Sequence, residues 1–511
     1  MKGNKIFKAT FIVMFVTILA RFLGLARDVL VAYKFGSGVY TDAYNAAVAV
    51  PDTMFTIIGL GISTVFIPLI SKVKYNQGKK EMFKFANNII SILSIVSILF
   101  FIIGIFFTKE LVNIFASGFD SERMELAISL TRISLVNLLF LSINVCFLSM
   151  LQVCEKFVLP SILGLFFNLP IILYLLFFKD VNIMGLTIAN VLGNFLRVVV
   201  QIPVLYKEGY KFKLDINFKD DRIKKMMILV LPVMVASGAN SLNMIVDKNI
   251  ASTLAVGSIS ALDYAQKIIV FINTAITTSI ISVMYPLMAN KLNKGDNEGF
   301  LNYTCKSIVM ISLLLLPISI AFILLNKEVV IAFYARGNFK EEAVTLTSIA
   351  LLGYSLQIPF VGIRDTLNSA LFSMEKTKIT TRNGVIGVII NIVLRIIFVR
   401  VFGIFGIALS STIAAIVTAV LLFISTKKLV SGFKVKGMII KLGKILFASV
   451  IMIIVVALFN KVIHINNVFL SLIVDGAIGA VSYFVICVVI KIEEFTELIN
   501  IIKKKASKGE V

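Results

Sequence analysis

The sequence predicts an all-α polytopic membrane protein of about fourteen transmembrane helices. Of its 511 residues, 59% are apolar and only 15% are charged, and the mean hydropathy is +0.97. A soluble protein would be about 45–50% apolar. The apolar residues fall in runs of about 20, the length that a helix needs to cross a bilayer. Composition therefore excludes the three soluble domains that the length alone would suggest.

Fourteen apolar segments follow one another along the chain. They run over about 9–33, 42–70, 86–107, 126–153, 157–178, 183–205, 226–254, 259–289, 303–325, 341–371, 383–400, 403–425, 445–463 and 467–490. The first is preceded by basic residues but lacks a small-residue cleavage site, which indicates a retained helix and not a signal peptide. The longer segments predict tilt or extension beyond the bilayer.

Lys and Arg are concentrated in the even-numbered connections, above all in 72–84, 207–225 and 427–444. About 33 basic residues lie on that side and about 9 on the other, so the positive-inside rule puts both termini in the cytoplasm. We therefore expect a multi-pass membrane protein. The same rule accounts for most of the net charge of +22 without a nucleic-acid partner.

Several functional classes are excluded or disfavoured. The single histidine, His464, falls in a predicted outer loop and excludes multi-histidine metal sites, and no GxxxxGK[ST] phosphate loop is present. The four cysteines lie in or beside apolar runs without CxxC spacing, so we expect buried thiols. We predict neither an enzyme nor an ATP or metal cofactor.

An internal duplication organises the helices. The stretch 36–42 (GSGVYTD) aligns with 257–263 (GSISALD) at an offset of 221, and Asn168 with Gly185 corresponds to Asn391 with Gly406. Six helices separate the copies, which predicts parallel repeats about an axis along the membrane normal and two lobes around a central cavity. The predicted divisions are 1–206 (N-terminal lobe), 207–225 (cytoplasmic linker), 226–426 (C-terminal lobe), 427–444 (basic linker), 445–490 (two added helices) and 491–511 (cytoplasmic tail).

Eight basic residues fall within the predicted helices, where each costs about 2.5–3.5 kcal/mol unless it faces a cavity, pairs or snorkels. They are Arg21, Arg27, Arg132, Arg197, Lys248, Lys267, Arg364 and Arg395. Guanidinium groups match phosphate oxygens, so we predict a cavity that binds an anion such as a phosphate through Arg21, Arg27, Lys267 and Arg364. Salt bridges that only lock the lobes together are the alternative.

Acidic and amide residues accompany these cations on the same helices. Asp28 shares a face with Arg21, Asp42 and Asp52 begin a polar stripe on the second helix, and Asp263 precedes Lys267 by one turn. We predict that these four carboxylates line or gate the cavity. A second set, Asn243, Asp247, Asn391 and Thr412, is a candidate site for Na⁺ or a proton, with helix packing as the alternative.

These residues carry a resemblance to a known family. The stretch 20–28 (ARFLGLARD), followed by Thr41-Asp42-Ala43-Tyr44 and Phe66-Ile67-Pro68, closely resembles the start of the MurJ/MviN lipid II flippases. That family belongs to the multidrug/oligosaccharidyl-lipid/polysaccharide exporter superfamily. The resemblance continues through 246–248, 257–265, 364–368 and 391–411, so it spans nearly the whole chain.

The resemblance implies a protein of the bacterial plasma membrane that exports an undecaprenyl-pyrophosphate-linked peptidoglycan precursor, lipid II, from the inner to the outer leaflet for cell-wall synthesis. It implies that Arg21 and Arg27 bind the pyrophosphate, with Lys267 where the family has an arginine, and that helices in 445–490 form a groove for the lipid tail. Cell-wall polymerases are the protein partners that it suggests.

The sequence departs from the family at two sites. The family's second-helix arginine is absent from 51–56 (PDTMFT). Arg395 stands where the family's Na⁺ site has a second acid, beside the matching Asp247 and Asn391. We therefore expect weak or absent Na⁺ coupling, with protons or the membrane potential driving transport.

Other functions remain open from the residues alone. A flippase for another undecaprenyl-linked glycan would use the same pyrophosphate chemistry. A multidrug exporter is disfavoured by the basic bias of the predicted cavity, and a non-transporting scaffold by the cost of buried charges.

Overall fold

The computed structural model describes residues 2–430, 432–433, 435–463 and 465–496, with side chains except in 2–15 and at 58, 60, 232, 235 and 236. His464 and positions 497–511 of the predicted tail lie outside these residues. The described chain is helical, as predicted. The helices are α1 Lys2–Phe35, α2 Val39–Phe106, α3 Thr108–Ala116, α4 Ser121–Ser134, α5 Asn137–Val153, α6 Val158–Phe177, α7 Ile183–Val199, α8 Ile202–Lys207, α9 Asp221–Ser252, α10 Ser258–Asn293, α11 Asn297–Leu324, α12 Asn326–Tyr334, α13 Glu341–Ser355, α14 Gln357–Ser373, α15 Thr377–Leu429, α16 Val435–Val462 and α17 Val468–Val489.

All fourteen predicted segments lie mainly in these helices. Among the described residues, nine helices are long and apolar enough to cross a membrane, or ten if the bent pair α13–α14 is one span. Two of the nine, Gly61–Phe106 and Thr377–Leu429, contain 46 and 53 residues. At about 1.5 Å per residue each is more than twice as long as the hydrocarbon core of about 30 Å. This arrangement is consistent with fourteen spans.

Single glycines divide the two longest helices. Gly78 has φ 87° and ψ 173° within α2, and Gly403 has φ 54° and ψ −131° within α15. A side chain would disfavour both conformations, although space is available at both positions. The connection over 71–85, between the second and third predicted segments, is not a loop, because the chain is helical there except at Gly78. Hydropathy marks where an apolar span ends, whereas Lys, Gln and Glu can continue the helix.

Three predicted segments contain breaks that hydropathy does not reveal. Segment 126–153 is divided between α4 and α5, 183–205 between α7 and α8, and 341–371 between α13 and α14, which are bent by 44°. The predicted connections over 108–125 and 326–340 contain the short helices α3 and α12.

The chain forms two compact units. Unit 1 comprises 1–260 and 336–343, and unit 2 comprises 261–335 and 344–511. This division differs from the predicted lobes, because α9 belongs to unit 1 and the boundary does not fall in 207–225. The reason is local packing: α9 lies along α2, where Gly61 approaches Val230, and the Ser237 hydroxyl donates to the Ile57 carbonyl at 3.1 Å.

Unit 1 is built around α2, which packs against α4, α5 and α9, while α6 packs against α1 and α7. One of its core clusters includes Phe66, Phe85 and Met150. In unit 2, α11 packs against α14 and α16, and α17 packs against α16 and α12. The two added helices therefore share a core with the rest of unit 2, including Leu367, Ile445 and Cys487. Burial of these side chains is the main driving force for packing within each unit.

Candidate functional site

The first helix places two predicted site residues side by side. Arg27 donates to Asp28 Oδ1 through Nε at 3.1 Å and through Nη2 at 2.9 Å. The Arg27 side chain is 20% exposed and that of Asp28 is 8% exposed. Arg21, also predicted as a phosphate contact, is exposed. Of the two arginines, Arg27 is therefore the one that the fold holds in a partly enclosed setting.

A second arginine joins this group from α7. The Arg197 guanidinium lies 4.2 Å from the centroid of the Phe167 ring, and that of Arg27 lies 5.5 Å from the same centroid. An aromatic face attracts cations by about 0.5–2 kcal/mol. Asp52, which is half-buried, interacts electrostatically with Arg197. We call Arg27, Asp28, Asp52, Phe167 and Arg197 the N-terminal charge cluster.

A chain of amides positions Arg197. Its Nη1 donates to Asn194 Oδ1 at 3.2 Å, Asn194 donates to Asn137 at 3.0 Å, and Asn137 donates to Asn190 at 3.1 Å. Asn190 in turn donates to the Tyr44 hydroxyl at 3.2 Å. Buried polar networks of this kind fix helices in register. Here they connect α7 with α5 and α2.

The N-terminal charge cluster extends beyond the predicted site residues. Arg197 was recognised as an intramembrane cation but not assigned to the site. A signal was available, because Asn190, Asn194, Arg197 and Gln201 occur at intervals of four, three and four residues and so share one face of a helix. The cluster holds two arginines and two aspartates, so it is charge-balanced. A bound anion would have to compete with the two carboxylates for the guanidinium groups.

Asp42 lies in a closely packed contact between the start of α2 and the start of α10. It is 1% exposed, and its carboxylate accepts hydrogen bonds from the Gly257 and Ser260 backbone N–H groups at 2.7 and 2.9 Å and from the Ser260 hydroxyl at 2.6 Å. Arg123 lies 3.9 Å away. The Ser37 hydroxyl donates to the Gly257 carbonyl at 2.9 Å. Asp42 thus joins two stretches that the sequence identifies as repeat copies. Its role in lining or gating a cavity stays a prediction.

Unit 2 repeats the arginine–aspartate arrangement. Arg364 donates to Oδ1 of its neighbour Asp365 through Nε at 3.0 Å, and its Nη2 lies 2.9 Å from the same oxygen in an ion pair. Both side chains are more than one third exposed. The Lys267 ammonium lies 5.5 Å from the centroid of the buried Tyr264 ring. The ion pair predicted between Asp263 and Lys267 stays a prediction.

The candidate cation-site residues have mixed settings. In unit 1, Asn243 and Asp247 are half-buried on α9. In unit 2, the Asn391 Oδ1 is buried without a hydrogen-bond partner among the described residues, whereas the Thr412 hydroxyl donates to the Gly353 carbonyl at 2.7 Å. Arg395 is fully buried and donates to Ser411 at 3.0 Å. All four cysteines are free thiols. Among the described residues, no group of three His, Cys, Asp or Glu side chains could hold a metal ion.

Comparisons with known proteins show what this chain is similar to. The family model for the lipid II flippase MurJ matches residues 31–475. A probable lipid II flippase MurJ of Aquifex aeolicus is 28% identical over 431 residues, which cover 83% of each protein. A lipid II flippase MurJ of Burkholderia cenocepacia is 24% identical over 433 residues, covering 83% of this chain and 84% of the relative.

Solved structures give the same assignment. A lipid II flippase MurJ in an inward closed conformation superposes with a TM-score of 0.81 at 26% identity, covering 96% of this chain and all of that one. An inward-facing multidrug transporter of the MATE family matches with a TM-score of 0.66 at 14% identity, covering 83% of this chain and 98% of that one. The second similarity shows a shared fold alone. The match to the family model begins at residue 31, after the 20–28 motif. The setting of Arg27 and Asp28 is therefore known from the structure and not from that match.

Proposed function

Because the chain belongs to the lipid II flippase MurJ family, we propose that it moves lipid II from the inner to the outer leaflet by alternating access. All of the relatives described above that exceed 20% identity carry this assignment. Flippases of other undecaprenyl-linked glycans would share the pyrophosphate chemistry, but the family match favours lipid II. We further propose that both termini are cytoplasmic and that the protein has no enzymatic activity.

The N-terminal charge cluster is the observation that supports a pyrophosphate-binding role. Arg27 is partly exposed, and an adjacent carboxylate and an aromatic face hold its guanidinium in place. Asp28 accepts from both Nε and Nη2 of Arg27 through the single oxygen Oδ1. A phosphate can replace it, because phosphate oxygens are also anionic acceptors and can bind the guanidinium with two of them. A charge-balanced cluster can bind the anion and release it again. We keep Arg21, Lys267 and Arg364 as further proposed phosphate contacts.

Depletion of the protein in its native bacterium, followed by a leaflet-specific assay for lipid II, tests the function. We expect lipid II to accumulate in the inner leaflet and wild-type protein to restore its export. Arg27→Ala should fail to restore export, whereas Arg132→Ala should restore it, because Arg132 is an exposed arginine outside the cluster. Purified wild-type protein that does not translocate lipid II in vesicles would contradict the proposal.

We also propose that transport is not coupled to Na⁺. The fully buried Arg395 supports this proposal, because a fixed positive charge beside Asn391 on α15 disfavours a bound cation. Protons or the membrane potential would then drive the cycle. Translocation should proceed equally in Na⁺ and K⁺ buffers under a fixed potential. Stimulation by Na⁺ that is lost in an Asp247→Ala variant would refute the proposal that transport is not coupled to Na⁺.

A further inference from the structure

A cavity of about 670 Å³ lies in unit 1, where the chain leaves α8 and passes the second half of α2. Five lysines line it: Lys79, Lys80, Lys84, Lys211 and Lys213. The break at Gly78 allows a new helical segment to begin at Lys79, and the partial positive charge of a helix N-terminus adds to that of the lysines. Its volume is in the range of ligand pockets, about 300–1,000 Å³.

The linker that forms one wall is attached to α2 through its backbone. Asn87 donates to the Lys211 carbonyl at 2.9 Å, and Ser91 accepts from the Asp215 N–H at 3.2 Å. Asn88 and Asn217 exchange two hydrogen bonds of 3.1 and 2.9 Å. The Tyr210 ring packs on Phe83 and Phe147. The wall is therefore a formed structure and not a loose connection.

The acids of the cavity have cationic partners, one of which is the cavity lysine Lys79. Glu208 bonds to Lys79, and to Lys156 at 3.0 Å. Glu81 and Asp215 interact electrostatically with Arg222. By contrast, Lys80, Lys84, Lys211 and Lys213 are exposed and make no ion pair within the described part of the chain. The available charge is positive, which suits an anion.

The adjoining linker exposes apolar side chains at every second position. Phe212, Leu214, Ile216 and Phe218 are 60%, 66%, 46% and 60% exposed. In extended chain, alternate side chains point to opposite sides. A water-soluble surface does not need four exposed apolar groups in eight residues, whereas a membrane interface accommodates them beside lysines.

The position along α2 indicates the depth of the cavity in the membrane. The apolar run of α2 resumes at about Ile89, five residues after Lys84, a distance of about 8 Å along the helix. The headgroup layer on each side of the hydrocarbon core is about 5–8 Å thick. Lys84 therefore lies at headgroup level when the apolar run spans the core, and Lys79 and Lys80 lie one to two turns farther toward the water.

We propose that the cavity binds the phosphate of an anionic lipid headgroup and that the linker 211–218 lies in the membrane interface, its apolar side chains among the lipids. The lysines neutralise the phosphate. Asn87, which is 5% exposed, lines the cavity beside them.

Retention of lipid by the purified full-length protein tests the cavity. Native mass spectrometry would count phosphatidylglycerol and phosphatidylcholine bound after extraction from equimolar vesicles. We expect the wild type to retain the anionic lipid preferentially. Removal of three cavity lysines should weaken this retention about a hundredfold, since each lysine near an anionic surface contributes about fivefold. The cavity variant is Lys84→Gln, Lys211→Gln and Lys213→Gln, and the matched control is Lys427→Gln, Lys428→Gln and Lys436→Gln.

Arginine at the three cavity positions should preserve retention, which separates charge from folding. Equal loss of retention in the control and cavity variants would overturn the site. A second arm uses the absence of tryptophan from the sequence. Phe212→Trp should be quenched by brominated phosphatidylglycerol vesicles. Two results together would show a site for soluble anions and overturn the membrane assignment. Brominated lipid would leave the Trp fluorescence unchanged, and millimolar inorganic phosphate would abolish the retention of lipid.

Discussion

The Arg197 guanidinium lies 4.2 Å from the centroid of the Phe167 ring, which the Arg27 guanidinium approaches at 5.5 Å. The two like charges can share this ring because Asp28 bonds to Arg27 and Asp52 offsets the charge of Arg197. Removal of any one residue of the N-terminal charge cluster changes the charge balance around the others. The cluster should therefore respond to mutation as a unit.

The pair Arg197 and Phe167 should be energetically coupled in transport. We expect Arg197→Ala to slow lipid II translocation in vesicles about tenfold or more, and Phe167→Leu to slow it about two- to thirtyfold, the equivalent of one cation–π contact. The double variant should be less impaired than the product of the single effects, since both remove the same contact. If the two single effects multiply in the double variant, the contact between Arg197 and Phe167 does not contribute to transport.

Asp28 should compete with the substrate for Arg27. Asp28→Asn keeps the shape of the side chain but removes its charge, so a soluble pyrophosphate analogue should bind several-fold more tightly. Slower release should then lower the translocation rate. Calorimetry and the vesicle assay measure the two quantities separately. Weaker binding of the analogue would instead mean that Asp28 positions Arg27 for the phosphate.

Asp42 should stabilise unit 1. Asp42→Ala leaves the Gly257 and Ser260 backbone donors without their acceptor, at a cost of about 2–4 kcal/mol. We expect a lower Tm for the purified protein in detergent, measured at one fixed scan rate. Ser260→Ala removes only the hydroxyl and should cost about 1 kcal/mol. Equal Tm values for Asp42→Ala and wild type would contradict this role.

Glu208 should make the stability of unit 1 depend on pH only under acidic conditions. Hydrogen bonds from Lys79 and then Lys156 lower the pKa of Glu208 from 4.5 to about 2. Because the pKa is lower in the folded state, the stabilisation is complete above about pH 4.5 and disappears as the pH falls toward 2. The Tm difference between wild type and Glu208→Gln should be constant from pH 6 to 8.

The same difference should shrink below pH 4.5 and at high salt, because the group is exposed to solvent. Lys156→Gln in the same background serves as a control, since it removes one of the two partners. A Tm difference that stays unchanged at pH 3 would contradict the assignment.

The sequence predicted the helical fold well, because apolar runs report directly on the membrane. It could not show that α9 packs with unit 1, since the duplication indicates ancestry and not present contacts. Breaks at Leu356 and between α7 and α8 lie within apolar runs and leave no mark in hydropathy.

The candidate site was predicted in part. Arg27, Asp28 and Asp52 were identified because charge within an apolar helix is costly. Arg197 was assigned no role, since its setting depends on Phe167, an apolar residue that no motif distinguishes. The partners of Asp42 could not be predicted, because a sequence does not show that backbone N–H groups more than 200 residues away use its carboxylate.

The helical character of α2 across 71–85 affects how this membrane topology can be mapped. Proteases cut extended chain, and a folded helix resists them even where lysines are abundant. Trypsin added to inside-out vesicles should cleave within 207–219 before it cleaves at Lys72 or Lys74. A site in α2 that trypsin leaves uncut would then indicate a folded helix and not an extracellular location. Accessibility maps of this protein therefore need small-molecule labels, such as thiol reagents on engineered cysteines.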